Sequence, residues 1–407
     1  MWLLDTDTLE LKEFVDSHTP LYAIFSHTWG DEEISFHDMQ SARELTQVKA
    51  GFTKVVSFCG LARARGYRYA WMDTCCIDKR NSADLSEAIN SMYRYYRNAG
   101  ECLIYLSDVP TVVDDTISRQ QQLNYFRASR WFTRGWTLQE LLAPKKRTFF
   151  SRDWIPIDDK GDLVDLLAKV TNIDASLLRD RDLLSTFCTA KRMSWASMRQ
   201  TTRSEDIAYS LMGIFNIYMS VIYGEGGERA FRRLQEEIIR TSFDQSIFVW
   251  RGNYESSGLL AKQPSDFADT PRLGLWGPIN LAPFTMTNVG LSIRMNITKI
   301  MSPDRSWLPD DLEEDIHLAV VGCDVWNGEL WVLLVLYLKL VPGASFYANG
   351  RFCKAYRRIK CNTWMGVPAM LLAGRTGPHR FTDVLVLQDE HFDLVNRAIE
   401  EDESRFP

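Results

Sequence analysis

The sequence predicts an α/β protein: a parallel sheet with flanking helices over residues 1–155, a helical extension over 156–245 and a β-rich domain over 246–407. Three observations carry that expectation. Short apolar runs rich in β-formers alternate with helical stripes through the first part, the pattern of a parallel sheet covered on both faces. Those runs lead into polar loops, and the carboxyl edge of an open sheet is where ligands bind. From Ser246 onward the runs become strand-like and are separated by Gly, Pro and Asn. At 407 residues the chain is also longer than one ordinary core accommodates.

The first strand is expected over 21–26, with Pro20 before it and Gly30 after it; it delivers Ser26, His27, Thr28 and Trp29. Residues 52–65 carry apolar side chains at 52, 55, 56, 59 and 62, a helical stripe that Gly66 stops. A second strand over 67–72 delivers Asp73, followed by Cys75 and Cys76. Asn81 or Ser82 can cap the next helix, whose apolar face holds Leu85, Ile89, Met92, Tyr96 and Ala99. Residues 102–106 and 147–151 read as the third and fourth strands. Between them, 129–144 turns helical from Trp136 and stops at Pro144. Glu140 lies one turn beyond Trp136, so the two share a helix face, while Leu141 and Leu142 point toward a core. Ser26, Asp73, Ser107 and the region of Glu140 should then gather along one sheet edge.

Further on, 161–170 reads as a helix, and a helix start at 202–206 leads into Ile207, Leu211, Ile214 and Phe215. A turn at 223–227 precedes a helix bearing Phe231, Leu234, Ile238 and Ile239. The last region offers strands at 246–250, 290–297, 317–325, 329–341, 351–358 and 383–388, read as largely antiparallel, before an acidic end at 400–403.

Composition narrows the function classes. The formal charge is −6 with no basic tract, which argues against nucleic acid as a partner. The eight cysteines form no CxxC pair, so a zinc site has no support, and buried thiols in a reducing compartment are expected. The N-terminus does not read as a signal peptide, and the longest apolar run, 330–338, is too short to span a membrane. A cytoplasmic protein is expected. The turn at 223–227 lacks the spacing and the lysine of a phosphate loop, and no resident cofactor is expected.

Six blocks follow one another along the chain: Ser26-His-Thr-Trp-Gly, Trp71-Met-Asp-Thr-Cys-Cys-Ile-Asp-Lys, Ser86-Glu-Ala-Ile-Asn-Ser-Met-Tyr, Arg134-Gly-Trp-Thr-Leu-Gln-Glu-Leu, Arg203-Ser-Glu-Asp-Ile-Ala-Tyr and Tyr223-Gly-Glu-Gly. In that order they closely resemble the fungal heterokaryon incompatibility (HET) domain family. The likeness runs over about 21–250. It implies a role in non-self recognition and programmed cell death. The family also looks like a distant relative of TIR domains, which implies a flavodoxin-like strand order. Trp136-Thr-Leu-Gln-Glu140-Leu141 matches the spacing of the TIR block Ser-x-Trp-Cys-x-x-Glu-Leu, whose glutamate cleaves NAD in enzymatic TIR domains. Three departures stand out: Thr137 replaces the cysteine, Arg134 replaces the serine, and Thr28-Trp29 stands where the first TIR loop has an arginine.

The resemblance therefore implies Glu140 as the catalytic residue, with NAD or a related nucleotide as substrate. The nicotinamide ring is already cationic while bonded to the ribose and leaves as a neutral molecule, so it needs no added proton and one carboxylate that stabilises an oxocarbenium-like ribose is enough. Trp29 and Trp136 could stack on the substrate's rings, or pack a core. Asp73 could bind a ribose hydroxyl, or cap its turn. Ser26, His27 and Cys76 complete the expected substrate-binding set. The alternative reading of Glu140 is a surface residue paired with Arg134 or Lys145. The alternative for the whole chain is a non-catalytic signalling module; either way, a homo-oligomer or an upstream sensor protein is the expected partner.

Overall fold

The structure is a computed structural model that describes residues 1–15, 18–41, 47–112, 118–157, 163–275, 284–299, 316–348, 351–367 and 381–389. The acidic end at 400–403 and the start of the helix expected at 161 lie outside these residues. The chain divides into two compact units: residues 1–186 with 198–230, and residues 187–197 with 231–407.

The first unit is built on a six-stranded sheet of β1 (Trp2–Asp5), β2 (Leu11–Glu13), β3 (Tyr22–His27), β4 (Tyr69–Trp71), β5 (Glu101–Tyr105) and β6 (Arg147–Phe150), in the order β2-β1-β4-β3-β5-β6. The four strands expected from the sequence are present, and β4-β3-β5-β6 run parallel. The sheet as a whole is mixed, which corrects the wholly parallel expectation: β1 pairs antiparallel with both β4 and β2. The reason is local. The Asp5 carboxylate accepts the backbone N–H groups of Asp7 and Thr8 at 3.1 and 3.3 Å, and Leu9 takes a left-handed φ of 58°. Together they turn the chain back into β2, while Leu3 and Leu4 are fully buried.

The helices α1 (Phe36–Gln40), α2 (Ala50–Ala64), α3 (Ser82–Asn98), α4 (Arg119–Ala128) and α5 (Thr137–Leu142) connect or flank these strands. Helix α2 buries Val55, Phe58, Cys59 and Ala62, and the chain leaves it through Gly66 at φ 87°. Asn81 caps α3 by accepting from the N–H groups of Ala83 and Asp84, and the helix buries Ile89, Met92, Tyr95 and Tyr96. Helix α5 differs from the others. All six of its residues are buried, so it has no solvent face. Short helices at Leu163–Thr171, Ala175–Arg179, Asp206–Tyr209 and Met212–Phe215 complete this unit.

The second unit begins with a helix at Thr189–Ser194 and takes in residues 231–241 of the helix Gly227–Thr241, which bury Phe231, Leu234, Ile238 and Ile239 as the periodicity predicts. The strand expected at 246–250 is instead a 3-10 turn, Gln245–Phe248. Asp244 overrides the β pattern by accepting from the N–H groups of Ser246 and Thr189 at 2.9 and 2.5 Å. Beyond it lie β7 (Ser256–Ser257), β8 (Leu273–Leu275), β9 (Thr285–Thr287), β10 (Gly290–Lys299), β11 (Ile316–Trp326), β12 (Trp331–Ala348), β13 (Arg351–Ile359), β14 (Met365–Val367) and β15 (Phe381–Val386). Their pairing is antiparallel except between β13 and β15. The order β12-β11-β10-β15-β13 returns on itself because β13 also pairs with β12, which closes a small barrel. The 18 residues of β12 make this possible, since its two halves serve different neighbours.

The eight cysteines are buried free thiols. Among the described residues, no helix is long and apolar enough to cross a membrane.

Candidate active site

Side chains alternate between the two faces along a strand, so consecutive residues of β3 serve different purposes. Phe25 and His27 share one face, with ring centroids 4.6 Å apart. Ser26 faces the other way, toward α5. Its Oγ is hydrogen-bonded to Glu140 Oε2, and the indole N–H of Trp131 donates to the same Oγ at 2.8 Å. A residue at the carboxyl end of a strand thus meets a carboxyl group that is 114 positions away in the chain.

Glu140 is 8% exposed, which overturns the alternative of a surface pair with Arg134 or Lys145; Arg134 donates instead to Thr202 Oγ1 at 2.7 Å. Burial pushes the Glu140 carboxyl up to about 8 from an ordinary 4.5, and the Asp73 carboxylate adds to the rise. The Ser26 hydroxyl and the Arg199 cation pull the other way. Tyr96 donates its own proton to the Phe25 carbonyl at 2.8 Å, so its oxygen remains able to accept. A neutral Glu140 therefore has a hydroxyl on either side of it.

Arg199 supplies the buried positive charge. It donates to the Arg134 carbonyl and to Thr137 Oγ1, both at 2.8 Å, and so clamps the start of α5. Burial lowers it to about 9, which leaves it cationic at neutral pH. Thr137, in the place of the TIR-type cysteine, donates to the Trp131 carbonyl at 2.6 Å. That bond ties the Trp131 backbone to the helix carrying Glu140.

The remaining expected residues divide into two groups. Asp73, just beyond β4, and Trp29, just beyond β3, form part of the rim. Trp29 Nε1 donates to Asp73 Oδ2 at 2.8 Å, and Trp29 remains 52% exposed. Lys79 Nζ sits 3.7 Å from the centroid of the Trp29 ring. The others are engaged elsewhere. His27 Nε2 lies 3.4 Å from Glu33 Oε1 on the opposite sheet face from Ser26. Cys76 closes the turn after β4: its N–H donates to the Met72 carbonyl at 2.8 Å, and its sulfur accepts from Met72 N–H at 3.4 Å. Trp136 is half-buried and hydrogen-bonded to Asp206, with its residue at the start of α5.

Tyr96, Trp131 and Arg199 were not singled out as site residues from the sequence. Tyr96 was visible only as part of an apolar helix face, and Trp131 only as one residue of the stretch 129–144. Arg199 had no local signal, because it lies in an irregular segment far along the chain.

Residues 22–116 match the family model of heterokaryon incompatibility protein (HET), and residues 229–276 match a domain of unknown function (DUF8212). Over 229 residues the chain is 45% identical to the vegetative incompatibility protein HET-E-1 of Podospora anserina, an alignment covering 56% of this chain and 17% of that protein. No solved structure matches. Over residues 22–116 the chain is thus similar to the heterokaryon incompatibility (HET) family, and it spans less than a fifth of the length of the relative it matches.

Proposed function

We propose that this protein acts in vegetative incompatibility, as a non-self-recognition and cell-death effector, and that it does so by cleaving NAD at the bond between ribose and nicotinamide. The family match and the name of the relative support the first part. One observation carries the second: Ser26 at the end of β3 is hydrogen-bonded to the buried Glu140 carboxyl, at the sheet edge that also presents Asp73 and the exposed Trp29.

In the proposed step, the bond from ribose C1′ to the nicotinamide nitrogen breaks, and its electron pair leaves with nicotinamide. Water then adds to C1′ and gives up a proton. The ionised Glu140 carboxylate stabilises the positive charge that builds on the ribose. In the free protein the carboxyl is largely neutral at pH 7, because burial holds it near 8. A cationic nicotinamide–ribose brought beside it favours the ionised form. Asp73 has one carboxylate oxygen held by Trp29 and a second available for a ribose hydroxyl.

The burial of Glu140 also favours a rival reading, in which the carboxyl is structural and the protein signals without turnover. Cellular NAD and viability, measured together for wild type and Glu140→Gln at matched expression, separate the two. With catalysis, wild type depletes NAD and kills, while the variant does neither. A variant that still kills, with NAD level in both strains, leaves only the signalling role.

A further inference from the structure

The rim of the site carries two positive charges that the reaction above does not use. Arg130 is an exposed residue whose backbone is fixed by Asp108, which accepts its N–H at 2.8 Å. Its Nε donates to Thr28 Oγ1 at 3.1 Å, which holds the guanidinium beside the loop that follows β3. Among the described residues, its two terminal nitrogens have no acceptor. Lys79, also exposed, lies over the Trp29 ring, and among the described residues no carboxylate is in ion-pair contact with it. Thr28 and Trp29 are adjacent, so both cations flank one loop. Of the nearby carboxylates, Asp108 accepts from Ser129 Oγ at 2.7 Å and from the Arg130 N–H, while Asp73 accepts from Trp29 through one oxygen only.

This combination has a chemical sense. An exposed indole offers a face to a planar ring, the spare Asp73 oxygen accepts from a sugar hydroxyl, and two cations with free N–H donors match phosphate oxygens. We propose that Arg130 and Lys79 hold the phosphates of a nucleotide ligand, so that the site selects phosphorylated nucleotides over free nucleosides. The inference rests on the reading of this edge as a nucleotide site, but not on the bond-breaking step.

Titration calorimetry with ADP-ribose and, separately, with nicotinamide riboside tests it on the full chain. The proteins are wild type, Arg130→Gln, Lys79→Gln and the charge-preserving Arg130→Lys, each checked by thermal melting. ADP-ribose should bind wild type in a salt-sensitive manner, about tenfold more weakly after either change to Gln, and nearly normally after Arg130→Lys. The riboside should bind all four proteins alike. The proposal is overturned if ADP-ribose does not bind wild type, or if it binds all four proteins equally. Cation-dependent binding of ADP-ribose without any NAD turnover would uphold the phosphate rim and remove the cleavage step. NAD turnover with unchanged binding across the variants would do the reverse.

Discussion

Two buried carboxyl groups sit at opposite edges of the same sheet, and they are held in opposite ways. Glu101 opens β5 and is fully buried. It is surrounded by donors: Arg65 Nη1 at 2.6 Å, Lys146 Nζ at 3.0 Å and Thr148 Oγ1 at 2.6 Å. Glu140, at the carboxyl edge, has the hydroxyls of Ser26 and Tyr96 against it, with the Arg199 cation only a weaker influence. A carboxylate paired with two cations has a structural role. A carboxyl buried among hydroxyls keeps its proton until something nearby stabilises its charge, which is the behaviour expected of a working group. Burial alone does not mark a functional acid; the kind of partner does.

The comparison breaks first at Glu101. Replacing it with Ala leaves Arg65, Lys146 and Thr148 without their acceptor. The cost should be about 2–4 kcal/mol, below that of breaking a wholly buried pair, because Arg65 and Lys146 keep access to water. Urea unfolding measures it, and activity per folded molecule should be unchanged. A loss under 1 kcal/mol would mean that the amino edge is not the clamp described above.

An effect of opposite sign is expected at Glu140. Its folded value of about 8 lies above the ordinary 4.5, so between those values the folded state binds a proton that the unfolded state has lost. Stability contributed by this group is therefore complete below pH 4.5 and declines as pH rises toward 8, by up to about 1.4 kcal/mol per pH unit. Glu140→Gln removes that dependence. The variant should match wild type near pH 5 and exceed it by a few kcal/mol near pH 8.5. Parallel stability curves for the two proteins across that range would show that the carboxyl is not held neutral.

Much of the carboxyl edge was legible in the sequence, because each of its strands is a compact apolar run ending in polar residues. That pattern located β3 to β6 and put Ser26, Asp73 and Glu140 on one edge. It could not locate β1 and β2, whose short segments are fixed by a turn that Asp5 organises. Nor could it separate Ser26 from His27, since a strand alternates faces and the sequence does not say which face meets α5. Glu101 escaped notice altogether, because a lone acid before an apolar run looks like a strand flank until Arg65 and Lys146 are brought to it from two other elements. The turn at Gln245–Phe248 escaped for a related reason: β-forming side chains lost to a cap at Asp244, whose second acceptor bond comes from Thr189.

The most direct measurement is the pH dependence of NAD cleavage by purified protein, wild type against Glu140→Gln. If the ionised Glu140 carboxylate stabilises the ribose cation, kcat/KM should rise about tenfold per pH unit at acid pH and level off above about 8, where the carboxyl ionises. Glu140→Gln should be at least about a hundredfold slower at pH 8.5, as expected when a charge facing the transition state is lost. A profile with no inflection near 8, in which Glu140→Gln keeps wild-type activity, would contradict the assignment, as would the absence of NAD consumption at every pH.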